Sequence, residues 1–332
     1  MFDVNDMLLS PPIKWGIIGC GDVCEIKSGP AFYKTEGSSL VSVMRRDAAK
    51  AEDFARRHQV ARWYSDADQL IADPEVDAVY IATPPSSHAG YAISAMRAGK
   101  PVYVEKPMAS SYIECEEMNR VSQETGIPML VAYYRRSLPY FLKIREILDS
   151  GETGEVISVY IRFHSPSAPQ DSDPHNKPWR VQPEIAGAGY FYDMACHTLD
   201  ILDFLLGEIA EAHGQKTNRA GLYTAEDTVT ACFRFASGVT GCGEWAYAAP
   251  ANCDEVVITG SKGSIRFATF SFAPILVQTT HSGAEFSFPR PEHIQQPMIE
   301  TVVAQLCGYG KSPSDGISAA RTNHIMDQIL KK

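Results

Sequence analysis

Three polar clusters interrupt stretches that otherwise read as hydrocarbon. Glu105-Lys106-Pro107 ends the apolar run Val102-Tyr103-Val104. Asp193 and His197, with Asp200 beyond them, break a helical pattern carrying Met194, Leu199, Ile201, Leu202, Phe204 and Leu205. Arg45-Arg46-Asp47 closes the run Leu40 to Met44. A charged pair at the end of a buried strand costs desolvation free energy unless it is paired or used. Strand neighbours point to opposite faces, so Glu105 and Lys106 are not expected to pair with each other, and a structural ion pair with another group is the alternative to a functional one. Asp193 and His197 are four residues apart on one helix face, with Asp200 near the next turn. A carboxylate and an imidazole at that spacing can share a proton or grip one hydroxyl. General acid/base pair, hydrogen-bonded core histidine and metal site are the three readings, and the last needs further ligands that the neighbouring sequence does not offer.

The stretch that must position these groups is IKWGIIGCGDVC, Ile13 to Cys24. A short apolar run ends at Gly19-Cys20-Gly21 and an amphipathic segment follows, which reads as strand, tight turn and helix start. Gly19 permits the bend, Gly21 lets a pyrophosphate approach the backbone, and the helix start at Asp22-Val23 offers free N–H groups. Cys24 stands where the third glycine of G-x-G-x-x-G is usual, and a small side chain can pack there. One helix is expected from Asp22 to Tyr33, then a strand at Leu40 to Met44, completing a βαβ unit. An acidic residue at the end of that strand suits NAD, whereas arginine meets the 2′-phosphate of NADP. Arg45 and Arg46 therefore favour NADP(H), with NAD(H) as the alternative and Asp47 a candidate helix cap.

From Arg62 to Ala132 apolar strands alternate with helices, which means a parallel, doubly wound α/β sheet covered on both faces. Ligands of such sheets lie beyond the strand C-terminal ends. Those ends carry Ala82-Thr83-Pro84-Pro85-Ser86-Ser87-His88, Glu105-Lys106-Pro107 and Tyr133-Tyr134-Arg135-Arg136. Beyond Ser137 the pattern changes to a helix, then a strand over 155–164. Residues 165–182 carry four prolines and no periodicity, a long loop ending near Trp179-Arg180. Seven strands follow from Ile209 to Phe288, an open, mainly antiparallel sheet, and two helices finish the chain, over 296–309 and 314–330. The division expected is 1–136 and 137–332, the earlier of the final helices reaching back toward the first part. Residues 1–12 read as a loose leader.

The 332 residues, 45% of them hydrophobic, supply two cores. A net charge of −10 with no basic run argues against a nucleic-acid surface. No apolar stretch spans a bilayer and no signal peptide is evident, so a cytoplasmic protein without a membrane partner is expected. Eight cysteines without a C-x-x-C pair read as reduced thiols.

Gly19-x-Gly21, ATPPSSH at 82–88, GKPVYVEKPMA at 99–109 and GAGYFYDMACHTLDIL at 187–202 together resemble the glucose-fructose oxidoreductase / inositol dehydrogenase / MocA family of nicotinamide-dependent oxidoreductases. The resemblance runs from about Ile13 to the last helix. It implies a Rossmann domain binding the cofactor through Gly19, Cys20, Gly21, Asp22, Val23, Arg45, Arg46, Thr83, Pro84, His88, Glu105 and Lys106. It also implies a C-terminal substrate domain whose open sheet assembles homo-oligomers, dimers or tetramers. Lys106, Asp193 and His197 would face the nicotinamide, which favours the catalytic reading without a metal. His197, oriented by Asp193, would move the alcohol proton and Lys106 would stabilise the substrate oxygen, roles that the two could exchange. Arg135, Arg136, Trp179 and Arg180 are candidates for holding a carbohydrate or polyol. The rivals are a dinucleotide sensor without chemistry and an enzyme that retains NAD(H) for redox-assisted sugar chemistry.

Overall fold

The alternation of continuous apolar runs with helices calls for a parallel sheet, and the computed structural model, which describes residues 8–173 and 175–332, contains one. The chain divides into two compact units: the chain up to Ser137 with Pro291–Ala320, and Leu138–Arg290 with Arg321–Lys332.

In the first unit six strands, β1 (Ile13–Ile18), β2 (Ser38–Met44), β3 (Arg62–Tyr64), β4 (Ala78–Ile81), β5 (Val102–Val104) and β6 (Met129–Val131), lie in the order β3-β2-β1-β4-β5-β6. Every pairing is parallel. Strand order reverses between β1 and β4, and the crevice outside the carboxyl ends of such a pair is where this architecture binds dinucleotides. The connecting helices are α1 (Asp22–Ile26), α2 (Gly29–Lys34), α3 (Ala48–Arg57), α4 (Ala67–Ala72), α5 (His88–Arg97) and α6 (Tyr112–Thr125). The single helix expected from Asp22 to Tyr33 is thus two. Pro30 has no N–H to continue a helix ladder, and the Ser28 amide and hydroxyl both bond the Val23 carbonyl, closing α1 after five residues.

The same unit takes in α10 (Gln296–Leu306) and the start of α11 (Gly316–Leu330). The Val131 amide donates to the Ser314 carbonyl at 3.3 Å, and a bridge joins Leu130 to Asp315, covering the open edge of β6. Of the expected leader, the first seven residues lie outside the described residues, and Leu9 bonds the Leu306 carbonyl.

The second unit begins with α7 (Pro139–Asp149) and includes α8 (Pro183–Ala186) and α9 (Tyr190–Leu206). Its eight strands are β7 (Val156–His164), β8 (Ile209–Thr217), β9 (Thr228–Phe235), β10 (Thr240–Ala246), β11 (Cys253–Gly260), β12 (Gly263–Phe267), β13 (Ile275–Thr279) and β14 (Gly283–Phe286). They run β14-β13-β12-β11-β7-β10-β9-β8, antiparallel except where β7 meets β10. Alternation sorts β9: Val229, Ala231, Phe233 and Phe235 are buried while Thr230, Cys232 and Arg234 are exposed. On the inner face the Phe191 ring of α9 meets Trp245 edge-on at 5.1 Å. The stretch 165–182, of which Pro174 lies outside the described residues, holds two 3-10 turns, Pro169–Ser172 and Trp179–Val181. A fully buried carboxylate orders it: Asp171 accepts from the Ala168 amide at 2.8 Å and the Tyr190 hydroxyl at 2.7 Å. Among the described residues no helix is long and apolar enough to cross a membrane.

Candidate active site

The glycine turn folds as its residues require. Gly19 sits at φ +94°, and a Cβ there would stand 2.7 Å from the Thr83 side chain and 2.9 Å from its amide, so only glycine lets the ends of β1 and β4 approach this closely. Gly21 differs, since the nearest atom to a Cβ there would be 3.9 Å away, leaving the space above the turn open. That open backbone suits the approach of a pyrophosphate; the Gly19 and Cys20 amides are spent on the Met44 carbonyl and the Gly21 amide on the Gly19 carbonyl, so the attraction falls to the first amides of α1, a helix of only five residues. Cys24 is fully buried and its thiol points back at the Gly19 carbonyl, 3.7 Å away, so it fills the packing place of the missing third glycine. Burial pushes the Cys20 thiol up to about 11 and the Cys24 thiol higher still, leaving both protonated and inert. Val23 is half-buried and Asp22 exposed.

At the end of β2, Arg45 reaches back to the Cys20 carbonyl at 3.4 Å and Arg46 is exposed. Asp47 caps α3: one oxygen accepts the Lys50 amide at 3.2 Å and the other pairs with the Lys50 ammonium at 3.1 Å.

Beyond β4, Thr83 and Pro84 are half-buried, and the Ser87 hydroxyl at the head of α5 turns to Thr83 Oγ1 at 2.7 Å instead of capping the helix. His88 is fully buried, its Nδ1 3.0 Å from the Pro107 carbonyl and its Nε2 2.7 Å from the Thr83 carbonyl. The imidazole therefore lies between the turn after β4 and the turn after β5, its neutral form donating to one of the two carbonyls, and burial pushes its pKa down.

Glu105 is buried and Lys106 half-buried at the end of β5. The Glu105 carboxylate accepts from the Tyr80 hydroxyl at 2.5 Å, the Gln295 side-chain amide at 2.5 Å and the Lys106 amide at 3.2 Å. Sequence reasoning missed Tyr80 and Gln295. A tyrosine inside an aliphatic strand is a signal in hindsight, but a glutamine 190 residues from its partner gives none. Arg135 lies 5.0 Å over the Tyr134 ring, and Arg136 donates to the Pro313 carbonyl at 2.9 Å and to Ser318 Oγ at 3.1 Å. Both arginines are buried.

In the second unit Asp193 and His197 lie on consecutive turns of α9, both buried, with Asp200 buried further along. The helix starts at Gly189, whose amide is capped by the Glu226 carboxylate at 2.9 Å, and burial pushes that carboxylate's pKa up. Arg180 Nε donates to Asp193 Oδ2 at 2.9 Å while its guanidinium lies 4.4 Å over the Trp179 ring. The His197 ring meets Phe270 edge-on at 5.6 Å. The loop thus delivers Trp179 and Arg180 to the head of the helix that bears the Asp-His pair. Among the described residues no group of three or more His, Cys, Asp and Glu is gathered to hold a metal ion.

Comparison with known proteins places this architecture. Residues 13–133 match the oxidoreductase family with an NAD-binding Rossmann fold, and residues 141–266 match the GFO/IDH/MocA C-terminal domain. The chain is 42% identical to oxidoreductase P35 of Formosa agariphila over 315 residues, 95% of this chain and 97% of that protein. It is 29% identical to the scyllo-inositol 2-dehydrogenase (NAD(+)) of Bacillus subtilis over 265 residues, 77% of this chain and 74% of that one. Aldose-aldose oxidoreductase from Caulobacter crescentus, crystallised with glycerol, shares the fold at a TM-score of 0.84 and 23% identity, over 96% of each chain.

Proposed function

The chain belongs to the GFO/IDH/MocA oxidoreductases, and from that premise we propose that it is an NADP(H)-dependent enzyme interconverting a secondary alcohol and a ketone on a sugar, polyol or cyclic diol. The bound dinucleotide supplies the hydride acceptor or donor. The observation that carries the reading lies within one sheet: Lys106, half-buried and anchored through its own amide, ends β5, while the turn at Gly19 and Gly21 lies open at the switch point of that sheet.

Lys106 donates a hydrogen bond to the substrate oxygen and stabilises the negative charge that develops there. His197 takes or returns the alcohol proton, with Asp193 orienting its ring. Trp179 and Arg180 hold the polyol, the arginine through hydroxyls and the indole through an apolar sugar face. Arg135 and Arg136, also candidates from the sequence, are buried, and Arg136 is engaged by the Pro313 carbonyl and Ser318. Asp47 is engaged as a helix cap, so its carboxylate is less available to ribose hydroxyls, while Arg45 and Arg46 offer two guanidiniums to a 2′-phosphate. NAD(H) is the alternative, and the Bacillus subtilis relative is named for NAD(+). Self-association through the outer sheet face, where Thr230, Cys232 and Arg234 of β9 are exposed, is read by sedimentation velocity.

The test is a fluorescence titration with NADPH and NADH, followed by turnover on a panel of inositols, aldoses and their ketones. Tighter binding of NADPH and turnover of at least one polyol are expected. Replacement Arg45→Asp should raise the KM for NADPH by roughly 10- to 100-fold and that for NADH far less. Equal effects on the two cofactors would overturn the NADP(H) preference, and no turnover across the panel would overturn the enzyme reading.

A further inference from the structure

The carboxylate of Glu105 has far more holding it than a strand end needs. Its Oε1 takes two donors, the Tyr80 hydroxyl and Gln295 Nε2, each at 2.5 Å, and its Oε2 takes the Lys106 amide at 3.2 Å. Both donors to Oε1 are themselves fixed. Tyr80 is fully buried and stacks on Tyr103 at 5.3 Å. Gln295, 1% exposed, sits at the head of α10, where its amide donates to the Lys27 carbonyl and its own carbonyl accepts the Met298 and Ile299 amides. A carboxylate with donors on both oxygens has one orientation, and here that orientation fixes the amide of the next residue, Lys106. On the far side the Pro107 carbonyl lies 3.0 Å from His88 Nδ1. The backbone of Lys106 is thus held through its preceding neighbour, Glu105.

We propose that Gln295 and Tyr80 are positioning residues for Lys106, acting through the Glu105 carboxylate. The proposal rests on the reading that Lys106 touches the substrate oxygen. Polar groups that meet a reacting atom must be held within about 0.5 Å of the productive place, and a long flexible side chain achieves that only from a fixed base. The segment returning to the first unit at Pro291 would then do more than cover that unit: it supplies one of the two donors that set the catalytic strand end.

The test compares Gln295→Leu and Tyr80→Phe in the full chain, the second removing one oxygen while keeping the ring. Lysines are reductively methylated with 13C-formaldehyde, the Lys106 signal is assigned by its absence in Lys106→Met, and its proton–carbon resonance is titrated without cofactor. Binding of NADPH and turnover of the fastest polyol of the panel are measured alongside. The expected result is a Lys106 resonance that broadens and moves its midpoint by about half a pH unit in both variants. Turnover should fall about tenfold or more, with the NADPH Kd and polyol KM within about twofold. A purely structural role would lower Tm and leave the resonance and kcat alone, and that result in both variants overturns the proposal. Should Gln295→Leu not fold, Tyr80→Phe decides alone. If Lys106→Met itself turns over normally, the functional reading fails instead, and the resonance still reports whether Lys106 is clamped.

Discussion

Glu105 and Asp193 are both buried carboxylates beside a candidate catalytic group, and they are held by different kinds of partner. Glu105 is gripped by Tyr80 and Gln295, two core side chains, at 2.5 Å each. Asp193 is met by Arg180, whose side chain is 45% exposed and belongs to the 165–182 loop. Hydrogen bonds to a buried charge contribute roughly 1.5–3 kcal/mol each. The β5 end is therefore set before any ligand arrives, while the arm that meets the buried Asp193 is a half-exposed side chain of the loop. Under the proposed function this contrast becomes a division of labour, with chemistry assigned to the rigid strand end and selectivity to the loop.

The strongest way to break that comparison is Lys106→Met. Its kcat should fall by roughly a thousandfold, with the NADPH Kd, read by fluorescence titration, nearly unchanged. Replacing Arg180 by Met should have a milder and different signature, a polyol KM raised roughly tenfold with kcat lowered less, in steady-state kinetics. A kcat loss as large as that of Lys106→Met would place Arg180 in the chemistry and end the division.

The smallest effect concerns His88, which lies between the turns after β4 and β5. Burial holds its pKa below the ordinary 6.5, so between the folded value and 6.5 the unfolded chain binds more protons than the folded one. Its contribution favours folding above about pH 6.5 and is lost as pH falls toward the depressed value. Tm measured from pH 5 to 7 should therefore fall on the acid side, and more shallowly in His88→Gln. An equally steep fall in both would show that His88 does not carry this dependence.

How much was legible beforehand follows from how local each signal is. The parallel sheet announced itself because Ala78 to Ala82 and Val102 to Val104 are continuously apolar, and the antiparallel sheet because β9 alternates residue by residue. The Asp-His pair on α9 was visible because both residues share one face of an apolar helix. The break between α1 and α2 was also written locally, in Gly29-Pro30, but the amphipathic pattern across it masked the signal. What could not be read was long-range pairing of polar groups. Gln295 on Glu105, Glu226 on Gly189 and Tyr190 on Asp171 join residues 190, 37 and 19 apart, and no periodicity encodes such partners. The loop over 165–182 looked featureless for that reason, since its order comes from the buried Asp171.

Lys106 and His197 are proposed to serve one substrate oxygen, and a double-mutant cycle in kcat tests that proposal most directly. Lys106→Met and His197→Ala should each lower kcat by roughly a hundredfold or more, and the double variant should sit within about tenfold of the worse single one, because groups acting as a unit are not additive. Near-normal turnover in either single variant, or losses that multiply in full, would contradict it.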